Sequence, residues 1–240
     1  MPKKNILKVQ NEIGMQLFDH IENVRARIDA ACARCGRSTA EITLVAVTKT
    51  VPAGIIRQAY DLGLSVIGEN RVQDGWDKFA QLGDLPLEWH LIGHLQTNKV
   101  RRALQFVRMI ESVDSLHLAA EINRVATESG SRIKILLEVN TSGEPSKFGV
   151  KPEQSAELAQ QVAALPNLEL AGLMTVGIWS DDQTRIRAGF ASLRQIRDRL
   201  QLPGLGLPHL SMGMSDDFEI AIEEGATFLR IGRALFGERK

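Results

Sequence analysis

Cysteine is nearly absent, with two residues in 240, Cys32 and Cys35. A disulfide framework needs more, and a zinc ribbon needs a second Cys-x-x-Cys pair that this chain lacks. The pair also falls at the wrong end of a helix for redox work. A reactive thiolate sits at a helix N-terminus, where the dipole favours negative charge, whereas Cys32 and Cys35 lie near a predicted helix C-terminus just before Gly36. Net charge is missing too. Lys+Arg and Asp+Glu each number 29, which argues against the basic face that general nucleic-acid binding requires. No apolar run is long enough to cross a bilayer, and Met1-Pro2-Lys3-Lys4 is not followed by an apolar leader core. The expectation is a cytoplasmic protein with neither membrane nor nucleic acid as partner. His20, His117 and His209 have no ligand partners at metal-binding spacing, so no metal is expected. No linker rich in Pro, Gly or Ser, no repeat and no low-complexity segment divides the chain, and one domain over 1–240 is the economical reading.

What is present is periodicity. Residues 6–34 carry Ile13, Leu17, Ile21, Val24 and Ile28 at spacings of three and four, one apolar stripe on a helix. From Glu41 the pattern changes to short apolar runs at 42–48, 64–68, 87–92, 107–111, 133–139, 168–174, 207–211 and 227–231. Segments of helical composition fall between them at 53–62, 71–82, 116–129, 152–164, 183–200 and 216–224. Eight βα units in roughly 200 residues predict a single-domain (β/α)8 barrel over 41–237, with 1–40 as an added N-terminal helix and its connection. A doubly wound open sheet fits less well, because no G-x-G-x-x-G follows the first strand.

The run Leu44-Val45-Ala46-Val47-Thr48 ends on Lys49, with Pro52 marking a helix start just beyond. A lysine closing a buried strand either reaches water or is held for chemistry. Barrel active sites collect at the C-terminal strand ends. There the chain places Lys49, Glu69-Asn70, Gly93-His94, Ser112, Asp114, Asn140, Thr175, Ser211 to Ser215, Arg230 and Gly232-Arg233. The turns at Gly213 and Gly232 follow the seventh and eighth strands, where barrels often bind phosphate. Ser215 to Asp217 reads as a helix start, with Glu219 spaced for a capping box with Asp216. The same turns also serve an ordinary strand-to-helix connection, so spacing alone leaves both readings open. A strand-end lysine opposite a phosphate site suggests a Schiff base, as in a class I aldolase or a protein holding pyridoxal 5′-phosphate (PLP).

Several motifs in one order narrow this. They are Cys35-Gly36-Arg37-Ser38, Ala46-Val47-Thr48-Lys49, Ile67-Gly68-Glu69-Asn70, Trp89-His90-Leu91-Ile92-Gly93, Leu95-Gln96-Thr97-Asn98-Lys99, Gly172-Leu173-Met174, Leu210 to Asp217, and Arg230-Ile231-Gly232. From about residue 13 to residue 237 the chain resembles the pyridoxal-phosphate homeostasis proteins, relatives of the N-terminal barrel domain of alanine racemase. The resemblance implies that Lys49 carries PLP as an internal aldimine, and that Ser211, Gly232 and the amide of Arg233 hold the phosphate. It also implies that Arg230 faces the pyridine nitrogen. The full set expected at the cofactor is Lys49, Asn70, His90, Asn140, Met174, Ser211, Gly213, Arg230, Gly232 and Arg233. His90 is read equally as a cofactor neighbour or a satisfied core histidine. Two positions depart from the family pattern: His94 stands where proline is frequent, and Arg233 where a small hydroxyl residue is common.

The resemblance further implies a binding protein that stores or delivers PLP within vitamin B6 and amino-acid homeostasis. PLP-dependent apoenzymes or regulatory proteins are its conceivable partners. Racemisation needs a second base, supplied in racemases by a tyrosine of a separate domain. Tyr60 is the one tyrosine here, and its setting, Ile55 to Tyr60, reads as a packed helix face. A guanidinium at the ring nitrogen only donates a hydrogen bond and leaves that nitrogen unprotonated, a weak electron sink. The expectation is therefore a monomer that is not an enzyme, with an aldolase-type or racemase-like activity as the alternative.

Overall fold

The computed structural model describes residues 2–200 and 206–238. Its eight strands are β1 (Thr43–Val47), β2 (Val66–Glu69), β3 (Glu88–Leu91), β4 (Met109–Val113), β5 (Ile133–Glu138), β6 (Leu168–Met174), β7 (His209–Ser211) and β8 (Phe228–Ile231). They pair in chain order, all parallel, and close into a barrel. β8 returns onto β1 in the register Thr43–Phe228, Leu44–Leu229, Val45–Arg230 and Ala46–Ile231. The helices are α1 (Pro2–Cys35), α2 (Ala53–Asp61), α3 (Val72–Leu82), α4 (Val100–Ala103), α5 (Leu116–Glu128), α6 (Ser155–Ala163), α7 (Gln183–Arg199), α8 (Phe218–Glu223) and α9 (Arg233–Phe236). This is the predicted barrel with its extra helix.

Period two along each strand sends alternate side chains inward and outward, and the two sets form separate cores. Outward residues pack against the helices in one continuous layer, from Ile67 and Trp89 to Leu229 and Ile231. Inward, Val45, Met109, Leu136, Ala171, Met174 and Phe228 make a smaller cluster inside the barrel.

Several boundaries differ from the sequence pattern because helix ends claimed strand-like residues. The amide of Leu64 donates to Ala59 O at 3.0 Å and closes α2, so β2 starts at Val66. Val107 does the same for α4 by donating to Ala103 O at 2.9 Å, so β4 starts at Met109. The helix start expected near Ser215, with an Asp216–Glu219 capping box, does not form. α8 begins at Phe218, Asp217 Oδ1 accepts from the Met214 amide at 2.6 Å, and Glu219 pairs with Arg27 at 2.7 Å. Tertiary partners took the residues that the local pattern assigned to a cap.

α1 docks on the last two helices. Leu17, Ile21, Val24 and Ile28 are buried as the stripe predicts, while Ile13 lies outside the residues whose side chains are described. The Arg27 guanidinium sits 4.4 Å from the centroid of the Phe218 ring, and Arg34 pairs with Glu223 at 2.9 Å. Arg37 donates to the carbonyls of Ile222 and Ala226 at 2.9 and 2.7 Å, satisfying the C-terminal end of α8. The N-terminal forty residues thereby brace the helices that follow β7 and β8.

Replacing the fully buried Ile21 by alanine removes three methyl or methylene carbons from this interface. Ile21→Ala is expected to lose about 2–5 kcal/mol of folding stability, read from urea unfolding. A loss below about 1 kcal/mol would mean that α1 is not part of the cooperative unit.

Candidate functional site

At the C-terminal mouth of the barrel a cavity of about 540 Å³ opens to solvent, a volume suited to a small ligand. Lys49, Asn70, Arg230, Gly232 and Arg233 line it together with Ile92, Ser215 and Asp216. Five of the ten residues expected at a cofactor therefore meet in one place.

Lys49 is presented by a strained turn. Thr50 has φ +67°, the one non-glycine residue with positive φ among the described residues, and a β-branched side chain makes that conformation costly. The residue before Lys49 is braced from behind. Thr48 Oγ1 donates to Glu69 Oε1 at 2.6 Å, and the Lys78 ammonium donates to both Glu69 Oε1 and Thr48 O at 2.6 Å. Lys78 and Glu69 hold the ends of β1 and β2 together, a role no local pattern announced. The neighbouring Asn70 Oδ1 is buried with no hydrogen-bond partner, an unmatched acceptor on a residue that lines the cavity.

Arg230, on β8, is buried and held on two arms. Nη1 donates to Ser211 Oγ at 2.7 Å and Nη2 to Thr175 O at 2.8 Å. The Ser211 hydroxyl donates onward to Glu111 Oε2 at 2.5 Å, and Glu111 Oε1 lies 2.6 Å from His90 Nδ1. His90 Nε2 reaches Glu88 Oε1 at 3.2 Å. Burial pulls the His90 imidazole down, but the hydrogen bonds to Glu111 and Glu88 outweigh it and raise its pKa to about 9. At neutral pH His90 is therefore an imidazolium donating from both nitrogens. Burial pushes the Glu111 carboxyl up, yet His90, Arg230 and Ser211 hold it below its ordinary value. His90 and Ser211 thus lie beneath the cavity, linked to it through Arg230.

The glycine turns form the opposite wall. Gly213 has φ +92°, and a Cβ there would fall 2.6 Å from Ala221 Cβ, so only glycine lets α8 approach this turn. It does not line the cavity; its carbonyl accepts from the Arg230 amide at 3.0 Å. Ser215 Oγ accepts from the Ala234 amide at 3.1 Å, tying the β7 and β8 turns to each other. The Arg233 guanidinium, the departure from the family pattern, pairs with Asp216 across the cavity edge, both side chains exposed.

Two expected residues are engaged elsewhere. Asn140 organises its own loop, donating to the carbonyls of Glu144 and Lys147 and accepting from Ser142 Oγ and the Gly143 amide. Met174 belongs to the interior apolar cluster. The loop after β5 is anchored across the mouth: Lys147 donates to Gly177 O at 3.0 Å, and the Phe148 ring stacks on His94 with centroids 4.1 Å apart. Tyr60 packs in the outer layer against the helices.

Glu111 and Glu138 were not read as site residues. The available signal was the one used for Lys49, a charge at the C-terminal end of an apolar run, here Glu111 in VRMIE and Glu138 in IKILLEV. Among the described residues no cluster of metal-ligating side chains occurs, and no helix is long and apolar enough to cross a membrane.

The family model described as "Alanine racemase, N-terminal domain" matches residues 20–240. The pyridoxal phosphate homeostasis protein of Aquifex aeolicus is 47% identical over 94% of this chain and 100% of its own length. That of Pseudomonas aeruginosa is 44% identical over 93% and 96%. PipY of Synechococcus elongatus, solved with PLP bound, is 36% identical and superposes with a TM-score of 0.82 over 92% of this chain and 100% of PipY.

Glu138, at the end of β5, gives the site a pH signature. Burial raises its carboxyl from the ordinary 4.5 to about 7, with Arg230 opposing the rise and Asp114 adding to it. A carboxyl raised in the folded state contributes stability fully below about pH 4.5 and loses it as pH climbs through about 7. Glu138→Gln stays neutral, so it is expected to flatten the fall in stability between about pH 5 and pH 8 by on the order of 3 kcal/mol. Unfolding midpoints across that range check this, and an unchanged pH slope in the variant would assign the titration to another group.

Proposed function

The chain belongs to the pyridoxal phosphate homeostasis protein family, built on the alanine racemase N-terminal domain, and on that premise we propose that it binds PLP in the mouth cavity, covalently on Lys49, and carries it in the cytoplasm without turning it over. The observation that carries this reading is the meeting of Lys49 and a locked, buried Arg230 in one cavity of about 540 Å³. The donor set suits the cofactor. The half-buried Lys49 amine would take the aldehyde, the Arg230 guanidinium the ring nitrogen, and the glycine turn at Gly232 with the Arg233 amide the phosphate. The unmatched Asn70 Oδ1 is an acceptor waiting for a donor. Arg233 adds a guanidinium where the family favours a small hydroxyl; its exposed pair with Asp216 is weak enough to yield to a phosphate. Ser211, spent on Glu111 and Arg230, serves the site through Arg230. Asn140 and Gly213 shape the flanking turns, and Met174 packs the floor.

PLP supplies an aldehyde for amines and, when its ring nitrogen is protonated, an electron sink. Arg230 works against the second property. Burial lowers its pKa, but the carboxylates of Glu111, Glu138 and Asp217 oppose that, and a guanidinium at such a site remains a donor with no proton to give up. A neighbour of that kind would leave the nitrogen of a bound ring unprotonated. Lys49 is the one lysine among the residues lining the cavity, and a single amine would serve one face of the ring. Recipients among PLP-dependent apoenzymes or regulatory proteins fit a carrier of this type.

Reduction with borohydride followed by peptide mass spectrometry is expected to find the adduct on Lys49, and Lys49→Ala to abolish it. An adduct on Lys99 or Lys147 would sink the assignment.

Turnover is tested by incubating the PLP-loaded protein with L- or D-alanine in deuterated water. The expected result is no exchange of the α-hydrogen beyond one equivalent per chain. Rapid exchange in excess of the protein would overturn the carrier reading and point to Asp216 or Glu238, the carboxylates at the cavity edge, as the base.

A further inference from the structure

A row of polar side chains crosses the barrel from base to mouth. Glu88 is the first residue of β3, at the base, with its side chain half exposed. From it the contacts run to His90 at 3.2 Å, to Glu111 at 2.6 Å, to Ser211 at 2.5 Å and to Arg230 at 2.7 Å. Strands β3, β4, β7 and β8 each contribute. The formal charges alternate in sign, with the Ser211 hydroxyl accepting from the last cation and donating to the carboxylate before it. Apart from Glu88 every member is buried, and the row runs beside the apolar interior cluster of Val45, Met109, Leu136 and Phe228.

Stability does not account for such a row. Barrel interiors are ordinarily filled with branched apolar side chains. Buried ion pairs replaced by well-packed apolar groups leave proteins as stable or more so. What the row does supply is direction. Each member has its geometry fixed by the next, and the row ends on Arg230, which is buried and also lines the cavity. Removing any single link leaves one donor or acceptor of its neighbour unmatched, so the disturbance passes along the row.

We propose that Glu88, His90, Glu111 and Ser211 are positioning residues, which touch no ligand and fix the orientation and charge of Arg230 toward the cofactor's ring nitrogen. Through them a change of charge at the base of the barrel is felt at the mouth. Glu88 faces Arg108 and Lys134 at that base, where Arg132 and Glu169 also lie, and His209 on β7 lies near His90. This rests on the reading that Arg230 faces the ring nitrogen of bound PLP, and its test separates the two.

Apparent affinities are measured for PLP and for an analogue whose ring nitrogen is replaced by CH, in the parent, Glu111→Gln, Ser211→Ala and Glu88→Gln. Losing a charge-assisted link should weaken PLP binding about tenfold in the first two variants. The half-exposed Glu88 should cost about two- to threefold. The analogue, with nothing for Arg230 to meet, should change by less than about twofold throughout. Equal losses for both ligands, or none, would overturn the proposal. Failure of PLP to attach at Lys49 in the parent would instead defeat the underlying reading of the site. A second measurement needs no ligand: ¹⁵N resonances of the His90 ring in the unliganded protein should report both nitrogens protonated near neutral pH. A neutral ring there would overturn the proposal even if Glu111→Gln failed to fold.

Discussion

Everything at the mouth depends on barrel closure between β1 and β8. The four-residue register from Thr43–Phe228 to Ala46–Ile231 brings the two ends of the fold side by side. It sets Lys49, beyond the end of β1, next to Gly232 and Arg230 at the end of β8. Parallel pairing makes every strand end at the same face, so the loops that follow them converge there whatever their sequence. Closure is reinforced from outside, since α1 is clamped to α8 through Arg27 and Arg34 and Arg37 ties the end of that helix down.

The second constraint is electrostatic. Arg230 is a buried cation, and a buried cation persists only with partners. Glu111, Glu138 and Asp217 supply the opposing charge, while Ser211 and the Thr175 carbonyl supply the acceptors. The carboxyls are not equivalent. Glu111 has His90 and Ser211 as well as Arg230 and stays ionised, whereas burial dominates at Glu138 and pushes it toward neutral pH. The site therefore combines one rigid, fully paired ion row with one carboxyl poised to titrate.

Those two constraints are the ones on which the proposed carrier reading rests. On the proposed reading a guanidinium at the ring nitrogen would quiet the cofactor, and the cavity edge carries only the exposed Arg233–Asp216 pair, a weak, salt-sensitive contact. The loops around the mouth are nonetheless ordered by their own bonds. Asn140 folds the loop after β5, Lys147 links it to the loop after β6, and the stack of Phe148 on His94 links it to the loop after β3.

The sequence by itself determined the architecture. Eight apolar runs alternating with helical segments admit few folds, and the strand-end position of Lys49 follows from local periodicity alone, because side-chain direction in a strand is set by its neighbours in the chain. Motif order determined the family, and with it Arg230 and Gly232. Tertiary structure decided the rest. Asn140 and Ser211 stand at strand ends as expected, yet hydrogen bonds to Glu144, Lys147, Glu111 and Arg230 absorb their polar groups. Asp216 and Glu219, spaced for a cap, were drawn off by Arg233 and Arg27. His90 was ambiguous in sequence because its role depends on Glu111, a residue on another strand. A pattern along the chain reports which face a side chain takes, but not which distant group will meet it there, and hydrogen bonds and buried charges are settled by that meeting.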